Sequence, residues 1–572
     1  MTTPSPDSVI LTEHPPVSVL GILRRLGPGL IIAGSIVGSG ELIGTTTTGA
    51  LAGYWLLWLI LVGCVIKVFV QVEFGRYAIS TGQASMVGMN ETPGPVLNLG
   101  VARANWLAWY WLAMFLVSLG QLGGIVGGVG QAMAISVPLT DAGRAYNREA
   151  ESLAKARYNQ HMLQFKLERL ATVGGKPAVD VKPAGGGEAA GGEEAAGGGE
   201  AAGGEEAATL RKELQTLEEA IKASTLRLKG AAGQPGLEKA ANDHLLWATL
   251  VTLITSVLLV AGRYGLIQWA STLMVAVFTL VTVLNVFMLQ AQPEWAVTWS
   301  DIWLGLSCRL PPKTEMPDGS TFYPLTTALA TFGIIGVGAN ELIAYPYWCV
   351  EKGYARFVGQ KDDSAAWVDR ARGWLRVMRW DAWCSMGVYT FATVAFYLLG
   401  AATLGRIHLV PKGNDMIRTL SIMYEPVFGG WTGPVFLFGA FAVLYSTFFV
   451  AIAGHARVSA DAWRVFRRQS LVGDVDPTIV KLFSGLYPLV CLAMYLAYPE
   501  PTTLVLASGA MQAMMLPMLS FAAIYFRYRR TDARIKPSLV WDICLWVSAL
   551  GMLIAGGWLF LTKIFPQLEK LA

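Results

Sequence analysis

Charge is scarce in this chain: 15% of its 572 residues are Asp, Glu, Lys or Arg, against about 25% in an ordinary soluble domain. The 44 basic residues outnumber the 40 acidic ones by only four, too few to suggest a nucleic-acid partner. Cysteine is equally sparse. Cys64, Cys308, Cys349, Cys384, Cys491 and Cys544 show no CxxC spacing and lie mostly in apolar runs, which excludes a zinc ribbon or a disulfide framework and leaves small packing residues. The five histidines, His14, His161, His244, His408 and His455, fall outside the two motifs that carry the chemistry, so no imidazole ligand or relay is expected. Walker A, GxSxG and HExxH sequences are missing too. ATP-driven transport and hydrolysis are therefore unsupported, no cofactor is implied, and the chain does not read as an enzyme.

Apolar residues are what the chain has instead. They make up 53% of it and arrive in runs of about 20 or more, the length that crosses a bilayer core as a helix. The runs lack period-2 alternation, which argues against a β-barrel. An all-α integral membrane protein follows, with eleven spans at about 27–50, 54–75, 105–136, 244–262, 264–290, 324–350, 383–404, 432–454, 481–498, 502–526 and 539–562. The first 20 residues carry no apolar stretch of the signal-peptide kind. With a cytoplasmic N-terminus, 22 basic residues fall in inside segments and seven outside, and the long insertion between spans three and four, with 14 more, is exempt. The expectation is a multi-pass cell-membrane protein with its N-terminus inside, and with its C-terminus and the insertion outside.

The insertion, 140–243, reads as a helical hairpin. Tyr146, Leu153, Leu163, Leu167 and Leu170 on one arm, and Leu210, Leu214, Leu217, Ile221 and Leu228 on the other, repeat at helical spacing on a charged background. Between the arms the twelve-residue phrase GGGEAAGGEEAA occurs twice, at 185–196 and 197–208. It is rich in glycine and poor in apolar residues, so an unfolded linker is expected over 185–208. The insertion reads as a solvated spacer or as an arm for self-association.

Two of the apolar runs are interrupted in the same way. Span one contains Gly38-Ser39-Gly40 followed by Glu41-Leu42-Ile43-Gly44. Span six contains Gly336-Val337-Gly338-Ala339-Asn340 followed by Glu341-Leu342-Ile343-Ala344. A pair of glycine-interrupted helices at corresponding places in two halves points to the substrate site of an inverted-repeat transporter. Glycine lets the helix unwind, and the freed backbone groups survive at membrane depth only where they line a cavity. An acidic side chain at mid-span costs at least ~2.5 kcal/mol, so Glu41 and Glu341 are candidate substrate ligands. The structural alternative pairs Glu41 with Lys67 or a glutamine and leaves Glu341 protonated.

Other polar residues are weaker candidates. Gln121 and Gln131 flank the glycine-rich face of span three, which suits close helix packing, and Gln121 could also reach the site. Thr45 to Thr48 follow the first interruption and suit the freed carbonyls. Glu73 and Arg76 end span two, where they are expected to pair.

At these residues the chain resembles the Nramp family of divalent-metal transporters, over nearly all its length outside the insertion. The similarity rests on Leu26-Gly27-Pro28-Gly29, Ala52-Gly53-Tyr54-Trp55 and Gly333-Ile334-Ile335-Gly336, on Ala442 to Gly454 with Tyr445-Ser446-Thr447, and on Leu516-Pro517. It implies two inverted five-helix repeats with helices one and six unwound. The family's Asp-Pro-Gly-Asn falls on Gly38-Ser39-Gly40-Glu41, and its Met-Pro-His-Asn falls, within a residue, on Ala339 to Leu342. The ligand aspartate is thus replaced by Gly38, the asparagine by Glu41, and the thioether by Ala339 or Asn340. The family's coordinating glutamine aligns nearer Gly509, one turn from Gln512. Magnesium transporters related to the family also lack the methionine.

The residues then suggest a secondary transporter or facilitator of a divalent cation. Its expected site comprises Glu41, Glu341, Gly38, Gly40, Val337, Gly338, Asn340 and Gln512. All of these offer hard oxygen donors, which suit Mg²⁺ or Mn²⁺. With no counterpart to the family's span-one aspartate or span-six histidine, weak proton coupling is expected. The alternatives are an organic-solute transporter of the same fold, carrying an amine or amino acid, and a receptor or scaffold built on the extramembrane arm.

Overall fold

The computed structural model describes residues 12–100, 102–173, 200–230, 236–262, 264–312, 314–315, 321–322, 324–469 and 475–564. These residues are almost entirely helical, apart from two small antiparallel hairpins, Val96–Leu99 with Ala102–Asn105 and Thr314–Glu315 with Thr321–Phe322. Two compact units separate, residues 1–136 with 244–572, and residues 137–243.

Among the described residues, eight helices are long and apolar enough to cross a membrane. Spans one and six are made of shorter pieces, and span five is the apolar helix Tyr264–Leu289. The helices sort by burial. Span eleven (Leu539–Leu559) exposes Leu539, Val540, Ile543, Trp546, Val547, Leu550, Leu553 and Ile554. Span four (Asp243–Val260) exposes Leu246, Leu250, Leu253, Ile254 and Val257. Apolar faces of that width suit lipid contact. Spans one and six are enclosed instead: residues 36–52 and 327–340 are nearly all buried.

Both enclosed helices are broken in the middle. Span one runs helically from Pro28 to Ile36, opens at Val37-Gly38, resumes as a widened π-helical turn over Ser39–Thr45 and ends as an α-helix over Thr46–Ala52. Span six runs from Pro324 to Phe332, turns through residues 333–338 with Gly336 at φ +55°, and resumes over Ala339–Glu351. Gly336 meets that φ without strain, and a Cβ there would crowd the ring of Tyr389 at 3.1 Å and Cys64 Cα at 3.2 Å. Pro28 opens span one at a position where a missing N–H costs nothing. The next free amides there are bound by Asp381 of span seven (Ala365–Leu399), which accepts from Gly27 N at 2.9 Å and Gly29 N at 2.5 Å.

The end of span two (Leu57–Thr81) is pinned as its sequence suggests. Glu73 pairs with Arg76 at 3.1 Å, both buried, while Trp541 Nε1 donates to Glu73 at 2.6 Å and Arg76 donates to the Ile535 carbonyl at 3.2 Å.

The smaller unit holds two long helices, Asp141–Val173 and Glu200–Lys229. Ala150 and Leu153, near the start of the first, share a small core with Leu228, at the end of the second, and Tyr146, Ile221 and Leu237 pack against it. That pairing of a start with an end makes the helices antiparallel. Asp243 closes the unit by accepting from the amides of Leu139 at 2.6 Å and Thr140 at 3.1 Å. One expectation changes here. The second helix begins at Glu200, so residues 200–208, read above as unfolded repeat, are helical. Their alanines and glutamates are strong helix formers, and an elongating helix tolerates Gly203 and Gly204 at about 1 kcal/mol each. The rest of the repeat, 185–199, lies outside the described residues.

Candidate functional site

The two interruptions face each other. A Cβ on Gly40 would come within 2.8 Å of the Ile334 carbonyl, so the span-one break packs backbone to backbone on the span-six break. The hydroxyls that follow satisfy what unwinding frees. Thr45 donates to the Gly40 carbonyl at 2.9 Å, Thr46 to that of Glu41 at 3.3 Å, and Thr48 to that of Gly44 at 2.8 Å. Thr48 also meets Thr331 of span six at 2.9 Å.

Glu41 is fully buried. One carboxylate oxygen accepts from Thr393 of span seven at 3.2 Å, and the other from the Gly38 amide at 3.4 Å. Glu341, in the first turn of the resumed span six, keeps partial exposure. Its Oε2 and the Oε1 of Gln512 converge on Gly338, at 2.3 and 3.1 Å from where a Cβ would stand. A side chain at Gly338 would occupy the space between these two oxygens.

A chain of neutral amides and hydroxyls ties the breaks to spans three and ten. Gln121 donates to Ser39 at 2.8 Å and accepts from Gln512 Nε2. Gln512 Oε1 accepts from the Asn340 amide at 3.4 Å, and Asn340 Nδ2 donates to Ser118 at 2.9 Å. Asn340 Oδ1 is buried with no hydrogen-bond partner, an oxygen acceptor left unused. Gln121 does more than pack, therefore: it bridges span one to span ten. Ser39, Ser118 and Thr393 were not singled out by sequence, because serine and threonine are too common in apolar helices to signal a role.

One structural alternative and one expectation need correction. Lys67 is not paired to Glu41 at contact distance; it is fully buried and donates to the carbonyls of Phe332 and, at 2.7 Å, Ile335. The carbonyls of Gly38, Gly40 and Gly338 are not free either, accepting from Leu42 N at 2.8 Å, Thr45 Oγ1 at 2.9 Å and Leu342 N at 2.9 Å. The widened turn in span one and the quick restart of span six recapture them. Val337 is buried in the span-six turn. His455 is buried in span eight, edge-on to Phe115 at 5.2 Å. Among the described residues no cluster of three or more His, Cys, Asp or Glu could hold a metal ion. A cation at the breaks would meet at most two carboxylates, supplemented by amide oxygens.

Buried, paired interruptions that begin two five-helix halves define a membrane transporter of the inverted-repeat, broken-helix class. The profile of the Nramp family, natural resistance-associated macrophage protein-like, matches residues 236–562. The chain belongs to that family, whose members are transporters and not enzymes. Two solved structures of variants of the Eremococcus coleocola manganese transporter share the fold, each with a TM-score of 0.54 and 13% identity over 96% of this chain and 89% of that one. No curated protein is similar enough in sequence to match the chain.

Proposed function

We propose that this protein is a secondary transporter or facilitator of divalent metal cations that works by alternating access around the facing breaks of spans one and six. The observation that carries the reading is the donor set. Two glutamates and the carboxamides of Gln121, Gln512 and Asn340 stand at the breaks, and their oxygens are hard donors suited to Mg²⁺ first and Mn²⁺ second. In this reading Glu41 and Glu341 supply charge, while Asn340, Gln512 and the Val337 carbonyl supply neutral oxygens. Gly38, Gly40 and Gly338 leave room for close backbone approach. Two carboxylates favour a cation over an amino-acid carboxylate, which sets the organic-solute reading second.

The cell membrane is the proposed location, with the N-terminus cytoplasmic, the C-terminus and residues 140–243 outside, and the hairpin acting as a spacer or self-association arm. Weak proton coupling is part of the same proposal. Uptake of Mg²⁺, Mn²⁺ and Cd²⁺ into proteoliposomes, with internal pH followed in parallel, tests it. Saturable Mg²⁺ or Mn²⁺ uptake is expected without stoichiometric acidification; absence of uptake of either ion rejects the reading.

A further inference from the structure

Five basic side chains are buried among the described residues of the larger unit: Lys67, Arg76, Arg418, Arg464 and Arg527. Four have a carboxylate within 4 Å, in the pairs Arg76–Glu73, Arg418–Asp415, Arg464–Asp461 and Arg527–Asp542. Lys67 does not. Its ammonium lies 4.9 Å from the Phe332 ring centroid and donates to the carbonyls of Phe332 and Ile335. Those two groups come from the end of one half-helix and from the turn that follows it. Ring and carbonyls together form the kind of surround a desolvated cation takes. The same turn packs against Gly40, the neighbour of Glu41, and leads into Gly338, on which Glu341 Oε2 converges, so the ammonium sits on the segment that meets both glutamates.

We propose that Lys67 is a resident counter-cation of the transport site, which sets how tightly that site holds its divalent substrate. The inference rests on the reading of Glu41 and Glu341 as substrate ligands. Capping two carbonyls requires donors, and a neutral amide would serve. A fixed ammonium does something further. Two ionised glutamates that share one cation repel each other in its absence and bind a divalent ion tightly. One positive charge nearby lowers the charge of the empty site from −2 to −1, relieves the repulsion and weakens the hold on the ion. A carrier benefits, since a substrate bound too tightly is not released.

Mn²⁺ binding to the purified full-length protein, read from the paramagnetic resonance signal of free Mn²⁺, tests the idea. Lys67→Gln keeps a donor for the carbonyls and removes the charge. Its Mn²⁺ Kd is expected to fall by at least about tenfold, a lower bound for removing a unit charge that repels a divalent ion inside a protein, while turnover in proteoliposomes falls with it. Lys67→Arg keeps the charge and is expected to keep Kd within about threefold. An unchanged or raised Kd in Lys67→Gln overturns the proposal, because a purely structural cap would leave affinity alone or weaken it by loosening the break. Should Lys67→Gln not fold, Lys67→Arg decides, and a shift of tenfold or more in its Kd overturns the proposal. Failure of the unmodified protein to bind Mn²⁺ is a different result, which removes the transport reading itself.

Discussion

Gly38 stands directly against Thr447: a Cβ on Gly38 would lie 1.9 Å from Thr447 Oγ1 and 2.7 Å from its Cβ. Span eight therefore occupies the place where a side chain at this point of span one would project. The family resemblance puts a ligand aspartate at this position, and here there is no room for one. In the proposed site the carboxylate stands three residues along, at Glu41, one of whose oxygens accepts from the Gly38 amide.

Gly38→Ala is expected to destabilise the protein by about 1–3 kcal/mol, the usual cost of overpacking a tight interior. Rotation of Thr447 about χ1 would not relieve the clash, because its Cβ itself would lie 2.7 Å from the new methyl. The melting temperature in detergent should drop, and Thr447→Ala in the same chain should recover part of the loss. Equal melting of Gly38→Ala and the unmodified protein would show that span eight yields more easily than this packing implies.

Glu41→Gln removes charge as well as a donor oxygen, whereas Gln512→Ala removes only a neutral oxygen and leaves the Gln121 carbonyl without its donor. Divalent uptake should fall by at least about tenfold in Glu41→Gln, in line with losing a charged ligand. It should fall less in Gln512→Ala. Normal transport by both Glu41→Gln and Glu341→Gln would sink the two-carboxylate site.

The breaks were readable because glycine and glutamate are each out of place at mid-membrane, and the same phrase recurred five spans apart. The network that joins them was not readable, because Ser39, Ser118 and Thr393 sit in helices where a hydroxyl ordinarily bonds back to its own turn. Thr393 does both, donating toward Tyr389 O at 2.7 Å and Glu41 at 3.2 Å. Lys67 was noticed for its charge, yet its contacts depend on where the carbonyls of a turn 265 residues away are delivered. The repeat at 200–208 misled through composition: glycine content suggested a linker, while its alanines and glutamates extend a helix already held by Ile221 and Leu228.

Orientation is testable with cysteines. Cys308 is exposed in the segment proposed to lie outside, and its replacement by serine gives a background without that reactive thiol. In it, a cysteine at Glu213, exposed on the second hairpin helix, should react with a membrane-impermeant maleimide on intact cells. One at Gln360, exposed between spans six and seven, should react only after permeabilisation. The reverse pattern would invert the topology drawn from the charge count.

Ion choice is the sharpest consequence of the donor set. The polar atoms named around the breaks are carboxylate, carboxamide, hydroxyl and carbonyl oxygens. A thioether or thiolate would favour soft ions such as Cd²⁺, and an imidazole would favour transition metals. Neither belongs to that set, although the Cys64 thiol lies against the span-six break, 3.5 Å from where a Cβ on Gly336 would stand. Mg²⁺ gives up its water reluctantly and suits a site with few protein ligands, since it can keep part of its shell. Mn²⁺ shares the preference for oxygen and dehydrates more readily, so both should compete for uptake. In proteoliposomes Mg²⁺ and Mn²⁺ should each inhibit the other's flux, and Cd²⁺ should inhibit either by less at equal concentration. Replacing Asn340, whose Oδ1 has no partner, by methionine would introduce a soft donor at the span-six break. Asn340→Met should raise Cd²⁺ transport relative to Mg²⁺. Preferential Cd²⁺ uptake by the unmodified protein would mean that the ion is held elsewhere than at these oxygens.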